Sequence, residues 1–203
     1  MKIYFVRHGE STANLFHEFS NSDSRHPLTE DGVRQARLLA GSLSAHPIER
    51  VYSSPVLRAM QTAQIIVESL SVSLETTEAL REWSVGIYEG TTDPDGWELH
   101  RKVQEDWFYN HKLDSKMPGG ESFLEIQARF VPFIEKLVGA RGEADREIAL
   151  VAHGGLYQAM LPVVLTNIDI AFVLSHGTPY TCCIVAESRP EGLTCLSWDG
   201  TVP

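Results

Sequence analysis

Two short segments carry the residues best suited to chemistry. Ile3-Tyr4-Phe5-Val6 runs into Arg7-His8-Gly9, and Ala149-Leu150-Val151-Ala152 runs into His153-Gly154-Gly155. Each is an apolar run of strand length that delivers a histidine and then a glycine. Neutral imidazole can act as nucleophile, acid or base near neutral pH. Glycine beside it lets backbone approach a ligand and leaves an amide free to donate. A single histidine after a strand is most often structural. The same pattern twice, once with arginine in front, points to a site. Ligands of open α/β sheets bind at the carboxyl ends of strands, where strand order reverses. If these two strands are neighbours, His8 and His153 face one crevice.

Arg58 is an independent clue. Ser54-Pro55 reads as a helix start, with serine as cap and proline in the first turn. Arg58 then falls in that first turn, where the helix macrodipole disfavours a cation. An arginine reaching into solvent or pairing with an acid would explain this blandly. A bound anion would explain it better, since helix N-termini and guanidinium forks both suit phosphate.

The elements that must position these residues follow the α/β pattern, with strand-length apolar runs alternating with stretches of helical period. Strands are predicted at Lys2–Val6, Arg50–Tyr52, Ser73–Thr76, Glu147–Ala152, Thr181–Ala186 and Leu193–Trp198. Ile3–Val6 and Ile148–Ala152 are continuously apolar, as strands covered on both faces should be. Thr29 caps a helix with Ala36, Leu39, Ala40 and Leu43 on one face. The helix opened by Ser54 carries Met60, Ala63, Ile66 and Val67 on a stripe. Ser122 with Glu125 forms a capping box ahead of Phe123, Ile126, Phe130, Ile134 and Leu137. Pro132 within that pattern predicts a kink or break. Thr91 to Pro118 is polar with interspersed aromatics, and is expected to be an irregular or partly helical excursion acting as a lid or substrate-selecting insert. No repeat or linker divides the 203 residues, so one domain over 1–203 is expected.

Composition excludes several classes. Hydrophobic residues make up 43% and charged residues 22% of the chain, which is globular rather than disordered. The apolar start stops at Arg7, and Ala159 to Leu174 is broken by Pro162, Thr166, Asn167 and Asp169, so a soluble protein is expected. A net charge of −10 disfavours nucleic acid and anionic membrane as partners. Three cysteines, two of them the neighbours Cys182 and Cys183, make neither a disulfide framework nor a zinc motif. Buried free thiols and a cytoplasmic location follow.

Arg7-His8-Gly9-Glu10-Ser11-Thr12 with Asn14 resembles the signature of the histidine phosphatase superfamily, in its phosphoglycerate-mutase-like branch. Leu28-Thr29 with Gly32 and Gln35-Ala36, then Ser53-Ser54-Pro55 with Arg58 and Gln61-Thr62-Ala63, resemble its next two blocks. Leu80-Arg81-Glu82 with Gly86 and Glu89-Gly90 is similar to its acid-bearing loop. Pro118-Gly119-Gly120-Glu121-Ser122 and His153-Gly154-Gly155 complete the order, over roughly residues 1 to 165. Tyr88 stands where the family often has tryptophan. The stretch from Leu15 to Pro27 matches no block, so a substrate contact usual there cannot be placed.

The resemblance implies a three-layer α/β/α sandwich around a mostly parallel mixed sheet. It implies His8 as nucleophile, a phosphate pocket of Arg7, Arg58 and His153 assisted by Asn14 and the backbone at Gly154, and Glu82 as proton donor and then base for water. Glu89 and Glu121 are open between catalytic and structural roles. Two arginines and a second imidazole can supply the positive field that metal ions supply elsewhere, so no metal or cofactor is expected. The expected function is hydrolysis of a small-molecule phosphomonoester through a phosphohistidine. One alternative is a phosphoglycerate-type mutase. Its longer, more basic excursion is missing here, where Arg101, Lys102, Lys112 and Lys116 are scattered among acids. A phosphate-binding protein without turnover is the other, and an intact His8 and Glu82 count against it. The remaining histidines, 17, 26, 46, 100, 111 and 176, match no block and are expected to be structural or exposed.

Overall fold

The computed structural model describes residues 1–21, 25–139 and 146–203. Along the chain run β1 (Lys2–Arg7), α1 (Thr12–Phe16), α2 (Glu30–Leu43), β2 (Ile48–Ser53), α3 (Leu57–Leu70) and β3 (Ser73–Thr76). Two 3-10 turns follow, then α4 (Pro94–Phe108), α5 (Phe123–Val138), β4 (Glu147–Ala152), α6 (Gly154–Val164), α7 (Ile170–His176), β5 (Cys183–Arg189) and β6 (Gly192–Trp198). The sheet order is β3-β2-β4-β1-β5-β6. The first four strands are mutually parallel, and β5 and β6 close one side as an antiparallel hairpin. This is the expected mostly parallel mixed sheet.

Strand parity sorts the core into two layers. Ile3 and Phe5 of β1 and Ile148, Leu150 and Ala152 of β4 pack with residues of α4, α5, α6 and α7. Tyr4 and Val6, with Ala149 and Val151, face the opposite way and pack with α2 and α3. Successive side chains of a strand point to opposite faces, so an unbroken apolar run serves both layers at once. Among the described residues no helix is long and apolar enough to cross a membrane.

Several local expectations change. Ser54 does not cap a helix: Val56 holds the extended cap position and α3 begins at Leu57. Ser54 instead accepts a 3.3 Å bond from the Val56 amide and turns its hydroxyl toward His153. Arg58 nevertheless lies in the first turn of α3. Helix α5 runs without a break through Pro132, whose side is exposed. The Ala128 carbonyl that loses its partner there is on the same wet face, where water can serve it. β5 starts at Cys183, because Thr181 adopts a left-handed conformation with φ 56°. Residues 94–108 form one regular helix, capped by the Asp93 side chain. Cys182 and Cys195 are buried free thiols, and Cys183 is partly covered.

One close approach fixes the His8 loop to its support. An added Cβ on Gly32 would lie 2.0 Å from the Glu10 carbonyl oxygen, and one on Gly9 would lie 2.5 Å from the Gly32 oxygen. The first turn of α2, capped by Thr29 on the Gly32 amide at 2.9 Å, therefore touches backbone on backbone with the loop after β1. Gly41 of the same helix is exposed and meets nothing. Gly32→Ala should lower stability by ~1–3 kcal/mol through overpacking, whereas Gly41→Ala should raise it by ~0.5–1 kcal/mol through helix propensity. Urea unfolding of both variants measures the pair. Equal effects would mean the loop and helix do not meet this tightly.

Candidate active site

β1 and β4 are parallel neighbours with Arg7 opposite Ala152, so both histidines leave adjacent strand ends. The His8 amide bonds the Ala152 carbonyl at 3.0 Å, and the imidazole centroids lie 5.1 Å apart. From β1 the chain passes to the α2 side of the sheet, and from β4 to the α6 side. The crevice between them is the point where strand order reverses.

The hydrogen bonds define how each ring is protonated. His8 Nδ1 lies 2.7 Å from the Gly9 carbonyl oxygen, which can only accept. Arg58 Nε donates to His8 Nε2 at 2.9 Å, which requires a lone pair there. His8 is thus neutral, with its proton on Nδ1 and its basic nitrogen facing Arg58. Arg58 Nη2 lies 3.2 Å from His153 Nδ1, leaving Nε2–H of His153 to donate to Ser54 Oγ at 2.8 Å. A third bond of 2.6 Å runs from Arg58 Nη1 to the Ser20 carbonyl. Burial, then Arg58 and Arg7, pushes the His8 pKa well below its ordinary value, against a small opposing effect of Gly9. Burial and Arg58 do the same to His153. Burial also draws the Arg58 guanidinium down to about 10, with Glu82 and Glu89 opposing.

Arg7 donates through Nη1 to the Thr178 carbonyl and stacks its guanidinium 4.4 Å from the Tyr180 ring centroid. Its Nε is buried with no partner among the described residues. An added Cβ on Gly154 would lie 3.1 Å from that atom. Gly154 opens α6, so the N-terminus of α6 and the Arg7 side chain converge. A buried N–H left over beside a helix N-terminus is what an anion site looks like.

Glu82 follows the first 3-10 turn and is anchored by the buried Leu80 and Trp83 on either side. Its carboxylate accepts from the Trp83 amide at 3.1 Å and the Gly155 amide at 2.9 Å. Burial raises its pKa, outweighing those two amides and the two arginines. A Cβ on Gly155 would sit 2.8 Å from Trp83 Nε1 and 3.0 Å from both carboxylate oxygens, so a larger residue would crowd the acid here. Glu121 is elsewhere: it accepts from the Ser84 amide at 2.8 Å and pairs with Arg129 at 2.9 Å. It braces the acid loop from behind. Glu89 likewise receives the Asn21 amide at 3.1 Å.

Arg7, His8, Asn14, Arg58, Glu82 and Gly154 all line one cleft of about 300 Å³. His153 is fully buried beneath it, reached through Arg58. Asn14 commits Oδ1 to the Ser11 amide and hydroxyl, at 3.0 and 2.8 Å, so its NH2 is what it can offer the cleft. Sequence reasoning missed the rest of the wall. Phe19, Ser20 and Asn21 enter from the stretch that matched no block, and Trp97, His100 and Gln104 enter from α4. His100, expected to be structural or exposed, is a half-buried wall residue stacked on Trp83 with centroids 4.5 Å apart. The usable signal was the i, i+3, i+7 spacing of Trp97, His100 and Gln104, which puts the three on one helix face. His26 is structural as expected, bonded to Thr12 and Glu18 at 3.0 Å each.

Comparison with known proteins agrees with this arrangement. The Hydrogenobacter thermophilus protein called "Putative phosphoserine phosphatase 2" is 34% identical over 172 residues, 83% of this chain and 80% of its own. The "Probable phosphoglycerate mutase GpmB" of Yersinia pestis is 31% identical over 81% of this chain and 75% of its own. Among solved structures, a mycobacterial glucosyl-3-phosphoglycerate phosphatase superposes with a TM-score of 0.84 at 24% identity, covering 98% of this chain and 99% of its own. Bacillus stearothermophilus YhfR superposes with a TM-score of 0.81 at 23% identity, over 100% of this chain and 98% of its own. The sequence model of the histidine phosphatase superfamily, branch 1, matches residues 3–201, from the strand that delivers His8 to the end of the closing hairpin. The chain belongs to that superfamily.

Proposed function

We propose that this protein is a phosphomonoesterase that works through a phosphohistidine on His8 without a metal ion. The observation that carries the reading is the pair of bonds on the His8 ring. Gly9 holds the proton on Nδ1, and the lone pair of Nε2 is directed at Arg58, inside a cleft also lined by Arg7. A phosphoryl oxygen arriving at Arg58 Nε and Arg7 Nε takes over those donors and frees Nε2 to attack phosphorus. The P–O bond to the alcohol breaks as the N–P bond forms, and protonated Glu82 gives its proton to the departing oxygen. Glu82, now a carboxylate, takes a proton from water as that water attacks the phosphohistidine. Phosphate leaves and His8 is neutral again. The Gly154 amide and Asn14 NH2 complete the phosphate pocket, and His153 supports it from beneath by holding Arg58.

The whole of 1–203 acts in this reading as one domain, with 91–118 as the insert that selects the substrate through α4. The partner is a small phosphomonoester, and the three free cysteines fit a reducing cytoplasm. A mutase is the second reading, favoured by the similarity to the Yersinia protein. It differs in outcome: phosphate stays on the substrate skeleton instead of appearing free.

Four measurements test the proposal. Rapid quenching during turnover should give a protein-bound phosphate that survives alkali and is lost in acid, and His8→Ala should carry none. Stable label on that variant would remove His8 from its role. Dialysis against a chelator should leave turnover unchanged, and a requirement for added divalent metal would show that the arginines do not suffice.

The pH profile separates the two titrating groups. His8 must be neutral, so activity falls as pH drops through a pKa that lies below the ordinary histidine value. Glu82 must be protonated to donate, so activity falls as pH rises through a pKa above the ordinary glutamate value. The optimum of kcat/KM for an alkyl phosphate is therefore expected between those two limbs. Glu82→Gln should erase the alkaline limb. It should also slow phosphoenzyme formation steeply with an alkyl phosphate and mildly with p-nitrophenyl phosphate, whose leaving group needs little protonation. Equal slowing of both esters in single-turnover experiments would leave Glu82 as a pocket-shaping group only.

A further inference from the structure

Beyond the phosphate end, the cleft wall has a chemistry of its own. Phe19 and Trp97 stack at 3.8 Å between centroids, and Trp83 stacks on His100 at 4.5 Å. Trp97 and His100 meet edge to face at 5.4 Å, so the four rings form one continuous rigid wall. His100 makes no hydrogen bond among the described residues, although its stacking holds the ring in place and it lines the cleft. Burial draws its pKa down to about 4, so it meets a ligand as a neutral imidazole.

Apart from the Glu18 carboxylate, the polar side chains around this wall are uncharged, with Gln104 and Ser20 among them. Gln158 commits its NH2 to Thr178 Oγ1 at 3.2 Å, which leaves its carbonyl oxygen for the cleft. Glu18 contributes a carboxylate, paired with His26 at 3.0 Å and with Arg25 at 3.4 Å. Arg7 and Arg58 are the cations lining the cleft among the described residues, and both belong to the phosphate end. Lys102 of α4 lines a separate depression, and Arg101 lines that one and a second that lies beyond Gln104 and Gln158, so neither lines the cleft itself. Arg25 stands outside the lining and is largely exposed. A second anion within the cleft would face the Glu18 carboxylate, uncharged polar groups and aromatic carbon, with no lining cation outside the phosphate end among the described residues, which is costly where solvent is partly excluded. Hydroxyl groups would find acceptors.

We propose that His100 is a specificity-determining residue, and that the cleft selects phosphomonoesters of uncharged polyhydroxy alcohols, of the sugar-phosphate class, over phosphorylated carboxylic acids. The inference rests on the phosphomonoesterase reading above. His100 offers a neutral ring nitrogen to a substrate hydroxyl, Gln158 an acceptor, and the aromatic wall an apolar surface for the carbon skeleton.

The test is a panel of glucose 6-phosphate, 3-phosphoglycerate, O-phosphoserine and p-nitrophenyl phosphate. The wild-type protein should show kcat/KM for glucose 6-phosphate at least about a hundredfold above that for the two acids. His100→Phe keeps a stacking ring but removes the hydrogen bond. It should lose about tenfold more on glucose 6-phosphate than on p-nitrophenyl phosphate, chiefly through KM. His100→Gln should recover most of that loss. A wild-type preference for either acid, or equal losses on both esters in His100→Phe, would overturn the proposal. If p-nitrophenyl phosphate itself is not hydrolysed, the catalytic reading is what fails. Calorimetric binding of glucose 6-phosphate and 3-phosphoglycerate then decides the selectivity by the same order of affinities.

Discussion

A guanidinium cannot be buried unless its N–H groups find acceptors, and Arg58 meets that demand by holding the site together. It is 4% exposed, and its three nitrogens bond His8 beyond β1, the Ser20 carbonyl and His153 beyond β4. One side chain from α3 thus ties both strand ends and the loop after α1 into a single arrangement. No carboxylate forms an ion pair with Arg58 or Arg7 among the described residues. Their acceptors are carbonyls and imidazoles, which satisfy hydrogen bonds without cancelling charge. Their positive field is therefore left largely uncancelled.

That choice of acceptors sets the protonation of everything nearby. Burial, and after it the two cations beside the imidazoles, keeps both rings neutral, and the ring that accepts from arginine turns its lone pair to that side chain. Glu82 lies in the same field yet is raised, because its burial outweighs the attraction of the arginines and the two amides it accepts. Imidazoles held below their ordinary pKa and a carboxyl raised above its own thus coexist by virtue of placement. Holding two guanidinium groups in a protein interior costs stability. The offset comes from the rigid frame below, where β4 is buried along its whole length.

Glycines make that frame close enough to work. Gly32 lets α2 touch the loop that carries His8, and Gly155 lets Glu82 approach the first turn of α6. Gly86, with φ +61°, receives the Pro118 carbonyl, where an added Cβ would be 2.0 Å away. The Gly119-Gly120-Glu121 block consequently acts as a clamp on the acid loop, and Glu121 fastens that clamp through Ser84 and Arg129.

The amino-acid order by itself determined which strands would be central and which residues would sit at their ends. Short continuous apolar runs rich in β-branched and aromatic residues read as strands covered on both faces, and Arg7-His8-Gly9 and His153-Gly154-Gly155 follow directly from them. Cap residues Thr29 and Ser122 were equally legible, because capping is a contact between residues three apart. Local chemistry misled where a distant partner took over: Ser54 looks like a helix cap, but His153, 99 residues away, holds its hydroxyl. Tertiary structure alone decided the pairing of β1 with β4, the tautomers of both rings and the place of Glu121. It also decided that α4 would bring Trp97, His100 and Gln104 to the cleft. A helix face is readable in a sequence, but what that face meets depends on crossings between elements far apart in the chain. The Arg7, His8 and His153 end of the cleft was visible because its residues lie at or just past the ends of two strands. The Trp97 and His100 end was not, since it is assembled from one helix and one loop that only the fold brings together.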